Sequence, residues 1–272
     1  MREVIAVTIF FFLLLLFSLY LGLLTREAIS KGEIEPVFQN PYDYKNSLYM
    51  FGLILAGTVV ALFFVKIKLE LIKLVENTAL LLLIATTFSY FLPLFPSFLL
   101  SFSLVLFSEL RPSFFIKNLC IFLSVPSASA IIGASLDYKV VLLFFFILTI
   151  YDTVSVFLTR HMVYLAEKLA SRPTALISIF PSTKIRRVSF IKGKKKLGVI
   201  ALGAGDYFIP SSFCVSLLQL GVKYSLLSLA LNTLTIFLLF HHISKREISR
   251  PLPALPFLFL SSLVSFSLSF YL

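Results

Sequence analysis

The sequence predicts an all-α integral membrane protein with nine transmembrane helices, a cytoplasmic N-terminus and an outside C-terminus. Three observations lead to this prediction. The composition is 59% hydrophobic and only 14% charged, long apolar runs recur along the chain, and Lys and Arg cluster in alternate connections. Because so few charges cannot cover the surface of a soluble domain, most of the chain faces lipid.

The spans are predicted from the length of the apolar runs, since a helix needs about 20 residues to cross a core of about 30 Å. Nine runs qualify in order along the chain: Val4 to Leu24, Ser47 to Val65, Leu74 to Leu92, Leu94 to Ser108, Phe114 to Ala134, Val140 to Thr159, Leu197 to Leu220, Tyr224 to Phe240, and Pro251 to Leu272. The first is longer than the apolar part of a signal peptide, so it is interpreted as a span. Because only Pro93 to Pro96 separates the third from the fourth, a single re-entrant hairpin is the alternative there.

The orientation follows from the positions of the 24 Lys and Arg residues. With the N-terminus inside, 19 of them lie in cytoplasmic segments, ten of these in residues 160–196. The outside segments hold the remaining five, which are Arg26, Lys31, Lys45, Lys139 and Lys223. Cytoplasmic connections are enriched in Lys and Arg, so the distribution predicts an N-inside protein. The net charge of +11 is therefore attributed to membrane topology and not to nucleic-acid binding.

One long basic loop, residues 161–196, divides the chain into an N-terminal six-helix half (1–160) and a C-terminal three-helix half (197–272). Apolar residues at helical spacing predict a short interfacial helix from His161 to Ser171. The stretch after it has two interpretations. β-Branched residues in Lys184 to Ile191 and in Lys194 to Ala201, on either side of Lys192-Gly193, are typical of a short hairpin. The dense positive charge is equally typical of a linker held at anionic lipid headgroups.

Two of the 13 acidic residues lie within predicted spans, Asp152 in the sixth and Asp206 in the seventh. The other 11 fall in loops or near span ends. An ionisable group inside the bilayer costs several kcal/mol, so each of these two is a candidate functional residue. The alternatives are a polar contact between packed helices and an ion-conducting site.

Both aspartates are predicted at a similar depth in the membrane. Asp152 precedes Arg160 by eight residues and Asp206 follows Lys196 by ten, which on helices places them about 12 Å and about 15 Å from the cytosolic end. Spans six and seven run antiparallel, so the carboxyl groups reach the same level. In such a pair, one carboxyl group keeps its proton while the other takes a proton from water.

Small and proline residues accompany the seventh and ninth spans. Gly203 and Gly205 next to Asp206 are expected to let the sixth span approach closely and the backbone bend. The sequence Pro253-Ala254-Leu255-Pro256 leaves backbone carbonyls without helical partners at the start of the ninth span. A glycine-containing membrane helix and a kinked helix start are the ordinary interpretations of these patterns.

Three motifs together resemble a known family. Tyr151-Asp152, Gly203-Ala204-Gly205-Asp206 and Pro253-Ala254-Leu255-Pro256 are similar to the YD, GxGD and PALP motifs of the presenilin and signal peptide peptidase family of intramembrane aspartyl proteases. Their order and span numbers agree with that family over nearly the whole chain. The orientation resembles presenilin, and the sequence after Asp206 resembles microbial homologues. Ala204 stands where leucine is common in the family, which leaves substrate preference open.

The resemblance implies a role for each motif residue. Asp152 and Asp206 would be catalytic, Tyr151 and Gly203 to Gly205 would shape the site, and Pro253 to Pro256 would help to hold substrate. The implied activity is hydrolysis of peptide bonds within transmembrane segments of membrane proteins or signal peptides, without a metal or other cofactor. Small microbial members of that family resemble enzymes that act without partner subunits. The oligomeric state, with a homo-oligomer as one option, and cleavage within residues 161–196 stay open.

Other membrane chemistries fit the sequence less well. A rhomboid-type serine protease would need a GxSG-like serine and a membrane histidine, but Gly133 to Leu136 lacks the final glycine and His161, His241 and His242 lie at span ends. A metalloprotease would need His-Glu-x-x-His, which is absent. A prepilin peptidase shares only the GxGD motif. The alternative from another class is a proton-coupled transporter or cation leak channel that uses the same two aspartates.

Further expectations concern redox state, location and substrate handling. Cys120 and Cys214 lie in apolar runs and indicate neither a disulfide framework nor a zinc site. The predicted location is the cell membrane, with the aspartates open to water on the cytosolic side. Segments Val188 to Ile191 and Leu197 to Ala201 are candidates to bind an unwound substrate as an added β-strand.

Overall fold

A computed structural model describes residues 2–67, 69–159, 174, 177–181, 199–246 and 253–268. Within these residues the chain forms nine α-helices and one two-stranded sheet. In chain order the elements are α1 (Arg2–Ser30), α2 (Lys45–Ile67), α3 (Leu69–Ser89), α4 (Leu94–Leu110), α5 (Phe114–Ser135), α6 (Tyr138–Phe157), β1 (Ile177–Pro181), β2 (Val199–Gly203), α7 (Ala204–Ser216), α8 (Val222–Arg246) and α9 (Leu255–Leu268).

Six of the described helices, α1, α2, α3, α5, α6 and α8, are long and apolar enough to cross a membrane. The other three are shorter, with 17 residues in α4, 13 in α7 and 14 in α9. Each predicted span contains one helix. The third and fourth are two helices separated at Pro93, an arrangement that fits both two spans and one re-entrant hairpin. The seventh differs most, because its helix begins only at Ala204.

Local sequence signals set several helix boundaries. The Ser113 side chain accepts the N–H of Ile116 at 3.3 Å at the start of α5, and Asp137 accepts the N–H of Lys139 at 2.9 Å at the start of α6. Both are N-cap residues that satisfy a backbone donor left free by the first helical turn. Between α3 and α4, Pro93 occupies the N-cap and ends the possibility of one continuous helix.

The centre of the molecule is formed by α1, α5 and α7, which pack against one another. Val215 of α7 lies between Gly22 of α1 and Gly133 of α5. A Cβ at Gly22 would lie 2.6 Å from a Val215 methyl group, and a Cβ at Gly133 would overlap the Ser212 carbonyl oxygen. Small residues therefore let these three helices approach closely, as is common where helices associate in lipid.

Helices α8 and α9 are joined by a polar cluster inside the protein. Asn232 is fully buried, and its amide donates to Ser228 Oγ at 3.2 Å and Ser262 Oγ at 3.0 Å. Ser261 Oγ in turn donates to Asn232 Oδ1 at 2.8 Å. Because lipid offers no hydrogen-bond partners, such contacts hold neighbouring helices together.

The prediction of an all-α protein is wrong at one place, where β1 and β2 pair antiparallel. The strand β2 includes the end of the predicted segment Lys194 to Ala201, but β1 lies upstream of the other predicted strand, Lys184 to Ile191. That segment, the Lys192-Gly193 turn and the interfacial helix from His161 to Ser171 lie outside the described residues. The physical reason for the strand is that β-branched Val199 and Ile200 favour extended backbone, and pairing with β1 satisfies its polar groups.

The register of the hairpin identifies which backbone groups face outwards. In an antiparallel pair, alternate residues direct both N–H and C=O toward the partner strand. Ile179 directs both groups instead to the side chain of Asn118, and the N–H of Gly203 bonds to Asp206. The pairs Ser178–Leu202 and Phe180–Ile200 therefore carry the inter-strand hydrogen bonds, whereas Val199, Ala201 and Gly203 face the outer edge of β2.

Candidate active site

Asp206 lies in the first turn of α7, directly after strand β2. Its Oδ2 atom accepts a hydrogen bond from the N–H of Gly203, the N-cap residue, at 3.1 Å. An acidic residue that reaches back to the N-cap in this way satisfies a free backbone donor, and the positive end of the helix dipole favours its negative charge. The depth of about 15 Å predicted from a continuous helix does not apply, because residues 199–203 are extended.

The two glycines of this motif have different surroundings. A Cβ at Gly203 would lie 3.3 Å from Asp206 Oδ2, so a larger residue there would press on the carboxyl group. A Cβ at the exposed Gly205 would meet no atom within 4 Å in the described part of the chain. Neither glycine makes the close contact with α6 that the sequence predicted. Ala204, half-buried between them, is the first residue of α7.

Asp152 lies in the last two turns of α6 and has no comparable local anchor. The backbone N–H of Leu255, at the start of α9, interacts with its carboxyl group. Among the described residues, none forms a hydrogen bond with the Asp152 Oδ2 atom, which is buried. Tyr151 next to it packs edge-on against Phe51 of α2, with ring centroids 5.8 Å apart.

The two carboxyl groups interact electrostatically across the boundary between α6 and α7. Both aspartates are half-buried. Three segments meet here that are distant in sequence, because α9 packs against both α6 and α7. The pair is therefore surrounded by the three motifs that the sequence singled out.

The segment Pro253 to Pro256 connects α9 to this site. Pro253, Ala254 and Leu255 are buried, and Pro256 is half-buried in the first turn of α9. The carbonyl of Ala254 accepts the N–H of Leu258 at 3.2 Å, so this carbonyl has a helical partner. The segment also supplies the N–H of Leu255, which interacts with the Asp152 carboxyl group. The carbonyls that Pro253 and Pro256 would leave without a helical donor belong to residues 249 and 252, outside the described residues.

Several residues that position the hairpin were not recognised in the sequence. The buried Tyr207 hydroxyl and Ser178 Oγ are hydrogen-bonded at 2.6 Å, which ties β1 to α7. Asn118 of α5 accepts the N–H of Ile179 at 3.2 Å and donates to its carbonyl at 3.1 Å. A polar residue within an apolar run, such as Asn118, is the feature of the sequence that could have identified them.

A cluster of charged residues near the start of α5 was interpreted as lying at span ends, but much of it is buried. Lys117 is 2% exposed and lies 2.7 Å from Glu109 of α4, which also pairs with Lys73 of α3. Glu76 of α3 is 6% exposed and accepts a hydrogen bond from Thr174 at 2.9 Å. This cluster therefore links α3, α4 and α5 and contacts the chain three residues before β1.

Two cavities lie away from the aspartates. An apolar cavity of about 560 Å³ lies between α1, α5 and α8, and a smaller one of about 220 Å³ includes Thr25, Glu35 and Tyr90. Across the described ranges, no group of three or more His, Cys, Asp or Glu residues is arranged to hold a metal ion.

Comparison with known proteins connects this arrangement to one family. The family model described as "Signal-peptide peptidase, presenilin aspartyl protease" matches residues 11–272. Two solved structures, both described as a presenilin family intramembrane aspartate protease, share the fold. One, in space group C222, has a TM-score of 0.69, 18% identity and 98% coverage of both chains; the other, in space group P2, has 0.67, 19% and 96% of both. No curated protein sequence matches.

Proposed function

The chain belongs to the signal-peptide peptidase and presenilin family of aspartyl proteases, and we propose that Asp152 and Asp206 are its catalytic pair. It is an integral membrane aspartic endopeptidase, and the proposed substrates are transmembrane segments of membrane proteins or signal peptides. The observation that carries the proposal is the electrostatic interaction between these two carboxyl groups, half-buried among helices of a membrane protein.

The proposed mechanism follows from a pair of carboxyl groups that share one proton. The ionised carboxylate takes a proton from a water molecule as the water oxygen attacks the peptide carbonyl carbon, while the protonated carboxyl group donates its proton to the carbonyl oxygen. As the tetrahedral intermediate collapses, the carboxyl group that took the water proton gives it to the amide nitrogen, and the C–N bond breaks. The other carboxylate recovers its proton from a hydroxyl group of the intermediate, and the new carboxyl group forms. The N–H of Gly203 holds Asp206 and the N–H of Leu255 supports Asp152 during these steps.

The substrate is proposed to bind as an added strand on the outer edge of β2. A helical substrate hides its amides in internal hydrogen bonds and must be extended before water can attack. Val199 and Ala201 direct main-chain groups to this edge, and Gly203 at its end is bonded to Asp206. Pairing there places an extended peptide beside the catalytic carboxyl group. Of the two segments predicted for this role, residues 199–201 lie in β2, and Val188 to Ile191 lie outside the described residues.

The membrane arrangement proposed with this mechanism is that of nine spans with the N-terminus in the cytoplasm and the C-terminus outside. The distribution of Lys and Arg supports this orientation. The aspartates then open to water from the cytosolic side of the cell membrane. The proposed partners are the lipid bilayer and the membrane-spanning substrates. The transporter or leak-channel alternative is not favoured by the family match.

The decisive experiment is cleavage of a defined transmembrane peptide by the purified wild-type chain and by D152N and D206N. Each variant replaces one titratable carboxyl group by an amide of nearly the same shape, which cannot act as an acid or a base in the reaction. We expect a rate at least about 1,000-fold lower for either variant, because both carboxyl groups take part in proton transfer. Helix content and thermal stability serve as folding controls. Retained cleavage in either folded variant would disprove the catalytic pair.

Strand addition is tested by replacing Val199 with proline. Because the N–H of Val199 faces away from β1, V199P deletes an edge donor without removing an inter-strand bond. We expect cleavage to fall about 10-fold, whereas V199A should retain near wild-type activity. An I200P variant, which removes a bond between β1 and β2, is the control for loss of the hairpin itself. Equal rates for V199P and V199A would contradict strand addition.

A further inference from the structure

The outer edges of the two strands differ in how their backbone groups are hydrogen-bonded. At β1, the carboxamide of Asn118 accepts the N–H of Ile179 at 3.2 Å and donates to its C=O at 3.1 Å. One side chain thus makes the same pair of hydrogen bonds that a residue of a third strand would make. This closes the edge of β1 at its central residue.

The outer edge of β2 has no such cover in the described part of the chain. Val199 and Ala201 direct their N–H and C=O groups to it, on the side away from β1. The next residue with the same direction is Gly203, whose N–H bonds to Asp206 at 3.1 Å. The open edge of β2 therefore ends beside Asp206, whereas the closed edge of β1 contacts α5.

We infer that Asn118 is a positioning residue for substrate. By occupying the edge of β1 and fixing that strand to α5, it leaves β2 as the edge at which an extended peptide pairs. It thereby sets which peptide bond reaches Asp206. This inference rests on the proposed function, and Asn118 itself does not touch the reacting atoms.

Other contacts of the hairpin have a different character. Ser178 is anchored to Tyr207 and Thr174 to Glu76 through side chains. Those bonds fix the position of the segment but leave the main-chain groups at the edge of β1 untouched. Asn118 acts directly on the backbone at Ile179, so its substitution changes both the position and the pairing capacity of β1.

The test compares N118D, N118L and N118Q in the purified full-length chain with a defined transmembrane peptide. N118D keeps the size of the side chain but replaces the donor by an acceptor that faces the Ile179 carbonyl. N118Q changes the size but keeps both a donor and an acceptor. A positioning role through hydrogen bonds therefore predicts that N118Q retains more activity than N118D, and a role in packing alone predicts the reverse order.

We expect N118D and N118L to raise KM about 10-fold, with a smaller change in kcat, and to produce additional cleavage positions in mass spectra. N118Q should stay within about threefold of wild type. Binding of a peptide in which a hydroxyl-bearing carbon replaces the scissile carbonyl reports whether the aspartate pair is intact in each variant. The matched control is N40D in the loop before α2, because Asn40 is exposed and an aspartate keeps the oxygen that accepts the N–H of Tyr42. It should cleave as wild type does.

Two results separate the inference from the proposed function. If the wild-type chain cleaves and N118D has wild-type KM and cleavage positions, Asn118 has no positioning role and the proposed function stands. The same conclusion follows if N118Q is impaired more than N118D in folded protein. If the wild-type chain itself does not cleave, the proposed function fails and the inference fails with it.

Discussion

The two aspartates of the site are held in different ways. Asp206 belongs to a local motif, since the strand that ends at Gly203 and the helix that begins at Ala204 place its carboxyl group against a backbone N–H three residues away. Asp152 lies in the last two turns of α6, and its backbone contact comes from Leu255, about 100 residues later in the chain.

The sequence around Asp206 therefore specifies the geometry of that aspartate, whereas the geometry of Asp152 depends on the packing of α9. The GxGD motif forms a structural unit by itself. The pair Tyr151-Asp152 becomes a site only when the segment Pro253 to Pro256 is docked beside it. Substitutions near each aspartate should accordingly act by different routes.

The largest effect is expected from Gly203 in comparison with Gly205. In G203A the new Cβ would lie 3.3 Å from Asp206 Oδ2 and displace the carboxyl group, so cleavage should fall about 100-fold. G205A adds a methyl group in open space and should stay within about threefold. Peptide cleavage rates for the two purified variants provide the measurement. Similar losses in both would show that Asp206 is not held as described.

A smaller effect is expected from the backbone at Leu255. L255P removes the N–H that interacts with Asp152 at a helix start, where proline is well tolerated. Cleavage should fall about 10-fold, since the backbone N–H that interacts with the Asp152 carboxyl group is lost. L255A keeps the N–H and serves as the control for the lost side chain. A greater loss in L255A would mean that packing, and not the N–H, supports Asp152.

The smallest effect is expected from Tyr207, which lies beside Asp206 but contacts the hairpin. Y207F removes the bond to Ser178 while preserving the packing of the ring against Phe10 and Phe11. We expect about a fivefold decrease in cleavage, corresponding to the loss of about 1 kcal/mol. S178A also removes the bond from Ser178 Oγ to the Leu202 carbonyl, so it should lower cleavage at least as much, and the double variant should match S178A. Additive losses would show that the two residues act separately.

Much of the fold could be predicted because lipid imposes a simple rule on sequence. Each of the nine apolar runs contains a helix, and the boundaries at Pro93 and Asp137 follow from ordinary capping and helix-breaking chemistry. The start of the seventh span was predicted incorrectly, because its residues are as apolar as those of a membrane-spanning helix. Residues 199–203 form a strand instead, since pairing with β1 depends on residues about 20 positions earlier.

The candidate site was predicted as a set of residues but not as a set of contacts. Asp152 and Asp206 could be found because carboxyl groups are costly in an apolar span. The bonds from Gly203 and Leu255 could not be found, because every residue carries a backbone N–H and sequence does not show which one is free. Asn118 was missed for a related reason, since one amide in a run with serines and a lysine resembles an ordinary helix contact.

The central place of α1 has a consequence for biosynthesis. This helix precedes the others in the sequence and packs against α5, α7 and α8. Its buried side therefore finds most of its partners only after the later helices have entered the bilayer. The contacts of highest sequence separation form last, as in other chains whose ends meet in the core. The two aspartates therefore lie side by side, with the Leu255 N–H beside Asp152, only after α6, α7 and α9 have packed together, so assembly of the site is a late step of folding.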